Sequence, residues 1–432
     1  MERVVIVKNK KLIGIIVAAL GLVLIIFGCL FLSSGNKIKA PTIDIKDFTI
    51  NNEIVTKVGD SLLVSNGEKY GYYDMNGKKV LDVTYTFNWD NYIEAVDAKD
   101  GLYVVTLDGK NYGVVDSNGK EILANSYMAV KIVSKNCFLV KNTDSTWNVI
   151  DANGKKIVDT TYSSVTLVEN IGAILSNNDK YNVIGRDGKM LSKKDYVYVV
   201  DYVGLGLSTP ILIGQIVPDK KDLFLANNGN IKIIENVTND YFINENYVYY
   251  STDGTSFSSY DLKTGKIKNK VKVDFSINGM SMSVSDAGLV GYKSKDGKTN
   301  IKEQYQFSTS SYFTKYGVAV VGKNELQGVI DKKGNEILPC KYKKVIVFSE
   351  KLFAVRDSDE DSYYLIDDKM KKISDNVEFD NTVENALIVY NGDKCGIVDN
   401  YNKSIFETKH ESCVVYTDFS MVRDNDKWHI KK

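Results

Sequence analysis

The chain has 432 residues, of which 44% are hydrophobic, enough to form a packed core and to exclude a disordered protein. Lys plus Arg and Asp plus Glu number 55 each, so the formal charge is zero and a nucleic-acid partner is not expected. Tyr is frequent, with 28 residues, and Pro is scarce, with 4, a composition that favours β-structure.

The N-terminal part of the chain carries a long uncharged segment. Residues 12–32 read LIGIIVAALGLVLIIFGCLFL, and as a helix this segment would span roughly 31 Å, which matches a bilayer core. Basic residues are more frequent in residues 1–11 than just after the segment, where only Lys37 and Lys39 follow closely. This bias predicts a cytoplasmic tail at 1–11, a transmembrane anchor at 12–33 and an extracytoplasmic remainder.

Two other readings of this segment stay open. A cleaved secretory signal would usually have a shorter apolar stretch, and SSGNKIKA offers only a weak cleavage site. The sequence IFGC resembles the lipobox in which a cysteine, here Cys29, becomes lipidated, although Phe27 is bulky for that pattern. We expect an uncleaved anchor, followed by a linker and first strand at residues 34–54.

The cysteines form no C-x-x-C pair and no zinc pattern. The five residues are Cys29, Cys137, Cys340, Cys395 and Cys413. If a disulfide exists, Cys395 with Cys413 is the first pair to test, because the 18 residues between these positions can span neighbouring strands of one sheet. Free, partly buried thiols are the alternative.

From residue 55 onwards the chain consists of repeats. The copies are YGYYDMNGKKVL from Tyr70, YGVVDSNGKEIL from Tyr112, WNVIDANGKKIV from Trp147, YNVIGRDGKML from Tyr181, QGVIDKKGNEIL from Gln327, YLIDDKMKKI around Tyr364 and CGIVDNYNKSI from Cys395. We call the first position of this pattern the lead position and the second the glycine slot. The glycine slots fall at 71, 113, 148, 182, 328, 364 and 396, so recognisable neighbours are 32 to 42 residues apart. Divergent copies fill residues 200–310.

A second mark recurs fourteen residues after the glycine slot, at a position that we call the tyrosine slot. It is occupied by Tyr85, Tyr127, Tyr162, Tyr196 and Tyr342. A fixed position predicts packing inside the repeat, although an aromatic face with a hydroxyl group could also bind a sugar or a peptide.

Each repeat reads as about four short strands. Apolar residues flank D-x-x-G, which is typical of a tight hairpin whose Asp side chain accepts turn N–H groups. Helical periodicity is absent outside the N-terminal segment.

The pattern of Trp or Tyr, Gly, two apolar residues, Asp-x-x-Gly-Lys and a downstream Tyr resembles the WG-repeat proteins of bacteria, including the KWG repeats. The resemblance covers most of residues 55–432 and is weak over 200–310. The departures are Trp at the lead position only at Trp147 and Trp428, Asn148 and Asn182 in place of Gly, and Gly185 in place of Asp. The resemblance implies a β-propeller-like fold and a binding role, with no catalytic residues to carry over.

The ends of the repeat array indicate closure. Residues 51–69 look like the latter half of a unit, and DKWHIKK at the C-terminus looks like the first strand of another. Two such halves would seal a ring and remove exposed sheet edges. We therefore predict an all-β, β-propeller-like array of about ten repeats of roughly 35 residues, with an open β-solenoid as the alternative.

The acidic residues and histidines that could take part in catalysis are better explained by their positions in the repeat. The turn aspartates Asp74, Asp116, Asp151, Asp331 and Asp399 share one slot in loops too short for a calcium site. His410 stands in a tyrosine slot and His429 in the glycine slot of the last half unit. We assign no catalytic, cofactor-binding or metal-binding residue.

Two weaker hints point to a binding surface. Trp89, Tyr92 and Tyr316 are variable aromatics that we expect to be exposed. The segment Asp201–Lys221 breaks the pattern with Gly and Pro; we read it as a lengthened loop or divergent blade, with a projecting interaction loop as the sharper hypothesis.

These features predict a membrane-anchored extracytoplasmic binding or scaffolding module at the cell envelope. Its partner would be an envelope protein, a peptide or a glycan; it would need no cofactor and would not be an enzyme. A carbohydrate-active or hydrolytic propeller is the alternative.

The orientation can be tested by adding protease to intact cells. We expect residues 55–432 to be digested while a cytoplasmic marker protein survives, because the basic tail holds the N-terminus inside. Protection of this domain until the cells are lysed would reverse the predicted orientation.

Overall fold

The computed structural model describes residues 48–431, apart from 53, 87–95, 203–210, 218–219, 228–229, 239–240, 244–246, 308–310, 380–384 and 426. These residues form forty β-strands and no helix. In the described part of the chain, no helix is long and apolar enough to cross a bilayer. The predicted tail at 1–11, anchor at 12–33, Cys29 and most of the linker lie outside the described residues.

The strands follow one another closely along the chain. The first twenty are β1 Phe48–Asn51, β2 Ile54–Val58, β3 Ser61–Ser65, β4 Lys69–Asp74, β5 Lys79–Thr86, β6 Ala98–Lys99, β7 Leu102–Thr106, β8 Tyr112–Asp116, β9 Glu121–Tyr127, β10 Ala129–Ser134, β11 Cys137–Lys141, β12 Trp147–Ile150, β13 Ser164–Val168, β14 Gly172–Asn177, β15 Lys180–Gly185, β16 Tyr198–Tyr202, β17 Ile211–Val217, β18 Lys220–Asn227, β19 Asn230–Val237 and β20 Tyr241–Ile243. The others are β21 Tyr247–Tyr250, β22 Ser258–Asp261, β23 Ile267–Lys268, β24 Met280–Val284, β25 Leu289–Ser294, β26 Asn300–Gln306, β27 Val318–Lys323, β28 Leu326–Asp331, β29 Glu336–Tyr342, β30 Lys344–Val347, β31 Leu352–Arg356, β32 Tyr364–Asp367, β33 Lys372–Ser374, β34 Asn376–Glu378, β35 Leu387–Asn391, β36 Lys394–Val398, β37 Ser404–His410, β38 Ser412–Val415, β39 Ser420–Asp424 and β40 Lys427–Lys431.

Within the described residues the strands form ten antiparallel sheets, numbered here along the chain. They are sheet 1 (β2–β5), sheet 2 (β6–β9), sheet 3 (β10–β12), sheet 4 (β13–β15), sheet 5 (β16–β19), sheet 6 (β20–β23), sheet 7 (β24–β29), sheet 8 (β30–β33), sheet 9 (β34–β37) and sheet 10 (β38, β39, β40 and β1). Sheet 7 contains two repeat units, joined by the single pair Gln306 and Gly322. The sheets, taken in chain order, form the blades of a β-propeller, as the repeat pattern predicts, with two units merged in sheet 7.

Each regular unit has four strands, with the lead position on the third and the tyrosine slot on the fourth. The two positions are partners across these strands. The pairs are Tyr70 with Tyr85, Tyr112 with Tyr127, Trp147 with Tyr162, Tyr181 with Tyr196, Gln327 with Tyr342 and Cys395 with His410. Three slot tyrosines are buried, Tyr162, Tyr196 and Tyr342, which confirms the packing role expected from their fixed spacing.

Glycine at the glycine slot lets the fourth strand bulge against the backbone of the third. The pairing register shifts at Gly113, and a Cβ there would lie 2.5 Å from the carbonyl oxygen of Leu123. Gly71 and Gly328 would meet backbone carbonyl oxygens at the same 2.5 Å. Backbone atoms cannot rotate away as a side chain can, so the bulge requires glycine.

In three of the units without this glycine, the fourth strand is shortened. Sheets 3 and 4, which carry Asn148 and Asn182 at the slot, contain three strands, and the fourth segment makes only isolated bridges. With Tyr364 at the slot, β33 has 3 residues, against 7 or 8 in β5, β9, β29 and β37. The Asn182 side-chain amide donates to the Lys194 carbonyl oxygen at 3.1 Å, so a side-chain hydrogen bond replaces part of the ladder.

The core lies between successive sheets. In β31, Phe353 and Val355 pack towards sheet 7, whereas Leu352 and Ala354 pack towards sheet 9. Because alternate side chains point to opposite faces and both faces are covered, the central strands are apolar at nearly every position.

The ring is closed by its two ends. β1 pairs with β40 from Phe48 opposite Ile430 to Asn51 opposite Lys427. Sheet 10 then contacts sheet 1, where Lys57 forms a salt bridge to Asp418 at 2.8 Å. This closure confirms a propeller and rules out the open β-solenoid.

The predicted halves of the closing unit were placed wrongly. Residues 54–65 form β2 and β3, the first two strands of the complete sheet 1, and the preceding β1 is the strand that closes the ring. The C-terminal β40 is the third strand of sheet 10 rather than a first strand. The segment FTIN is too short for its pattern to identify it as a strand.

One disulfide links neighbouring sheets. Cys395 on β36 is bonded to Cys413 on β38, so the predicted pair is confirmed, but it joins sheets 9 and 10 rather than two strands of one sheet. Cys137 and Cys340 are free. Burial raises the pKa of the Cys137 thiol to about 12, which keeps it protonated and unreactive near neutral pH.

Replacing Gly113 with alanine tests the bulge. We expect Gly113→Ala to lower stability by about 1–3 kcal/mol, because the new Cβ overlaps backbone atoms. The midpoint of urea unfolding measures the loss. The control is Gly322→Ala in β27, whose Cβ would meet its nearest atom at 3.3 Å. Equal midpoints for the two variants would contradict the assignment.

Candidate binding surface

Exposed large apolar side chains concentrate in the divergent part of the ring. Among the described residues, seven of the eleven such side chains fall between residues 197 and 307. They are Val197, Tyr198, Val200, Ile267, Phe275, Val284 and Phe307. Single exposed apolar residues are ordinary on a protein surface, but a concentration of them indicates an interaction surface.

The first strand of sheet 5 supplies part of this surface. Tyr198 and Val200 alternate along β16 with Val199, which is buried against the core between sheets 4 and 5. Val197 and Val200 are 59% and 44% exposed. The Tyr198 hydroxyl donates to the side-chain carbonyl of Gln215, which fixes the ring on the strand. One face of this strand therefore presents apolar groups that the propeller itself does not cover.

A row of aromatic rings lies on sheet 6 and the segment after it. The Phe242 ring lies 6.5 Å from Tyr249 and 5.3 Å from Phe275, and Tyr247 lies 5.9 Å from Tyr249. Burial raises the pKa of Tyr249, whereas the Phe275 ring at the end of the row is 60% exposed. In the described residues no buried hydrophobic cluster joins sheets 6 and 7.

A strip of lysines runs beside the rings. We define the lysine strip as five exposed residues, Lys263, Lys266, Lys268, Lys270 and Lys272. None of them forms a salt bridge with a described residue. The flanking acids have other contacts, since Asp261 accepts turn N–H groups and Asp274 pairs with Lys295 at 2.7 Å. Lysines on an edge strand such as β23 discourage aggregation, and the strip also gives the surface a positive charge.

A buried polar cluster lies at the junction of sheets 4 and 5. The side chain of Asp222 is fully buried and accepts from Lys194 Nζ at 2.8 Å, from the Tyr196 hydroxyl at 2.8 Å and from the Asn236 N–H at 2.9 Å. Burial, together with the Asp222 carboxylate, raises the pKa of Tyr196. All three donors are satisfied by one carboxylate, so this cluster stabilises the junction of sheets 4 and 5.

The turn aspartates have the role that the sequence predicts. In each, Oδ1 accepts the N–H groups two and four residues further on, at 2.8–3.0 Å. They are Asp74, Asp116, Asp151, Asp331 and Asp399. They stand at equivalent turns of separate sheets. Among the described residues, no group of three or more His, Cys, Asp and Glu side chains could hold a metal ion.

Of the three aromatic residues predicted to be exposed, only Tyr316 lies in the described part of the chain. Trp89 and Tyr92 lie outside the described residues. Tyr316 is half-buried against the core between sheets 7 and 8, and its hydroxyl accepts from the Asn400 side chain at 3.0 Å, so its expected exposure was wrong. A Tyr near a glycine in a loop gave no sign of this long-range contact.

The segment Asp201–Lys221 is largely a strand pair. Tyr202 of β16 pairs with Ile211 of β17, and Ile211, Leu212 and Ile213 are buried. Residues 203–210 and 218–219 lie outside the described residues. The prediction of a divergent blade therefore accounts for the described residues of this segment.

The two histidines come together. His410 and His429 line one cleft between sheets 9 and 10. His410 has the structural role of a slot tyrosine, because it pairs with Cys395 in the way that slot tyrosines pair with lead residues. Sequence spacing gave no signal of their meeting, because their side chains come from different sheets.

Comparisons with known proteins support the repeat assignment. The model of the family described as "WG containing repeat" matches residues 328–359, from β28 through β31. This match confirms the resemblance to the WG-repeat family. The search among curated proteins finds no match to this chain.

Similar solved structures include two bacterial proteins and one design. BamB from Moraxella catarrhalis is 12% identical, over 89% of this chain and 96% of that one, with a TM-score of 0.23. PorZ, a surface component of the type-IX secretion system of Porphyromonas gingivalis, is 10% identical over 91% of this chain and 74% of that one, with a TM-score of 0.25. The designed Ika8 protein is 14% identical over 76% and 97%, with a TM-score of 0.20. Because these TM-scores are low, the propeller assignment rests on the sheet pairing alone.

The Asp222 cluster makes a stability prediction. We expect Asp222→Ala to cost about 3–5 kcal/mol, because it leaves a tyrosine hydroxyl and a backbone N–H without their acceptor and leaves Lys194 only Glu235, at 3.5 Å. Lys194→Met should cost less, since Lys194 is 31% exposed and methionine keeps the apolar stem. Thermal unfolding followed by circular dichroism gives the order. If both variants unfold at the same temperature, the carboxylate is not the centre of the cluster.

Proposed function

We propose that this WG-repeat protein is a membrane-anchored extracytoplasmic binding or scaffolding module whose partner docks on sheets 5 to 7. The observation that carries the proposal is the concentration of exposed apolar side chains between residues 197 and 307, beside the lysine strip. Elsewhere the repeat positions have structural roles. The aspartates hold turns, the glycines admit bulges and the tyrosines pair with lead residues, so recognition is left to positions where the copies differ.

The chemistry of the surface favours a protein or peptide partner. Val197, Val200 and Ile267 are aliphatic, and such side chains are buried well by the apolar residues of another protein. The neighbouring lysine strip favours carboxylates at the rim of the contact, so the partner segment would combine apolar and acidic residues.

Two features support the external location. Residues 12–33 have the length and flanking charges of an anchor that leaves the C-terminal domain outside. The disulfide between Cys395 and Cys413 suits an oxidising compartment.

The binding proposal is tested by cross-linking the full-length protein in its native envelope. We expect Val200→Ser and Phe275→Ser to reduce capture of the cross-linked partner at least tenfold, since both side chains are exposed and their loss removes apolar contact. The matched control is Leu107→Ser, which removes a 67% exposed apolar side chain directly after β7 of sheet 2.

The lysine strip gives a second readout in the same experiment. Raising the salt concentration, or changing Lys268 and Lys272 to Gln, should weaken capture, because surface attraction is screened by ions. Capture that is unchanged in all of these variants would refute the surface. Turnover of envelope glycans by the purified protein would instead favour the hydrolase alternative.

A further inference from the structure

A cleft lies where the ring closes, at the junction of sheets 9 and 10. It has a volume of about 440 Å³, and we call it the closure cleft. Its lining residues come from β37, β39, β40 and β1. They are Thr49, Phe406, Lys409, His410, Asp424, His429, Ile430 and Lys431. Both histidines of the chain are among them, which sets this cleft apart from the repeated parts of the ring.

His410 is held in a fixed orientation. Its Nδ1 lies 2.6 Å from Asp424 Oδ2, and its ring meets the Phe406 ring edge to face at 5.7 Å. An ionised carboxylate only accepts hydrogen bonds, so Nδ1 carries the proton and Nε2 is the second polar atom of the ring. His410 is 7% exposed, and Asp424 thus orients an imidazole at the wall of the cleft.

The other polar groups of the cleft are mostly cationic. Lys431 Nζ lies 3.1 Å from the Ile405 carbonyl oxygen and 4.8 Å from the centre of the Phe406 ring. Lys409 pairs with Glu407 at 2.7 Å and keeps 65% of its side chain exposed. His429 Nδ1 lies 3.3 Å from the Thr49 hydroxyl.

The donors of the cleft favour an anion. Two lysines and two imidazoles line it, and its carboxylate, Asp424, is itself bonded to His410. Glu407 offsets the charge of Lys409, so the positive charge that faces the cleft is that of Lys431. Phosphate and carboxylate oxygens accept from such donors, and the Phe406 ring offers an apolar wall beside them.

We propose that the closure cleft binds a small organic anion through phosphate or carboxylate oxygens, with an apolar part of the ligand against Phe406. The ligand would contact β1 as well as sheets 9 and 10, so its binding stabilises the closed ring. This site is separate from the partner surface on sheets 5 to 7, and the two can fail independently.

The test measures binding to the purified full-length chain in detergent by isothermal titration calorimetry. The probes are inorganic phosphate and succinate, each against sodium chloride at the same ionic strength. We expect saturable binding of at least one probe, and the tighter one identifies phosphate or carboxylate as the preferred group. Lys431→Gln should weaken binding roughly tenfold because it removes the positive charge, and His429→Leu should do the same because it removes a donor to the anion.

The matched control is Lys403→Gln, which removes the same charge from an exposed position on the turn before β37, outside the cleft. It should leave the dissociation constant unchanged. Lys409→Gln, at an exposed position, serves as a second cleft variant if the others unfold. Hydrogen exchange gives an independent readout, since the better probe should slow exchange at the amides of β1.

Two results would overturn the proposal. One is no saturable heat with either probe beyond the chloride control. The other is equal weakening in Lys403→Gln and in the cleft variants, which would mean general electrostatic attraction rather than a site.

Discussion

The regular units of the ring depend on one close approach, that of the fourth strand of a unit onto the backbone of the third at the glycine slot. With no Cβ at Gly71, Gly113 or Gly328, the bulge forms and the fourth strand keeps 7 or 8 residues. The bulge also sets the register that places each slot tyrosine opposite its lead residue. Where asparagine replaces glycine, the ladder is reduced to isolated bridges, and at Asn182 a side-chain hydrogen bond substitutes for part of it. The residue at the glycine slot thus affects the length of the fourth strand, while the ring stays closed.

Much of the fold follows from spacing alone, because it is repeated. The D-x-x-G turn and the tyrosine slot were predictable, since each is a local pattern seen several times. Closure was predictable from the incomplete units at the two ends, but the strands that form it were not. The position of β1 was not, because a four-residue strand has no periodicity to detect and its partner lies at the far end of the chain. The pair Cys395 and Cys413 could be chosen from separation, but its placement across two sheets depends on how successive sheets stack.

The functional surfaces were less accessible to sequence reasoning. Exposure of Phe275 or Val200 depends on which face of a strand the neighbouring sheet covers, and the divergent units obscure that assignment. The closure cleft joins residues from the first and last strands, so nothing local connects Thr49 with His429. Tyr316 shows the opposite error, because its contact with Asn400 lies 84 residues away along the chain.

Closure by β1 also sets the order of events during synthesis. The strand leaves the ribosome first, yet its partner β40 begins at Lys427, roughly 380 residues later. At about 5–20 residues per second, β1 must wait roughly 20–80 seconds with its edge unpaired. During this interval the earlier sheets can stack in order, but the seam stays open, and the exposed edge is a site for a chaperone or for mispairing with another chain. The last strands to be made therefore decide when the molecule becomes a ring.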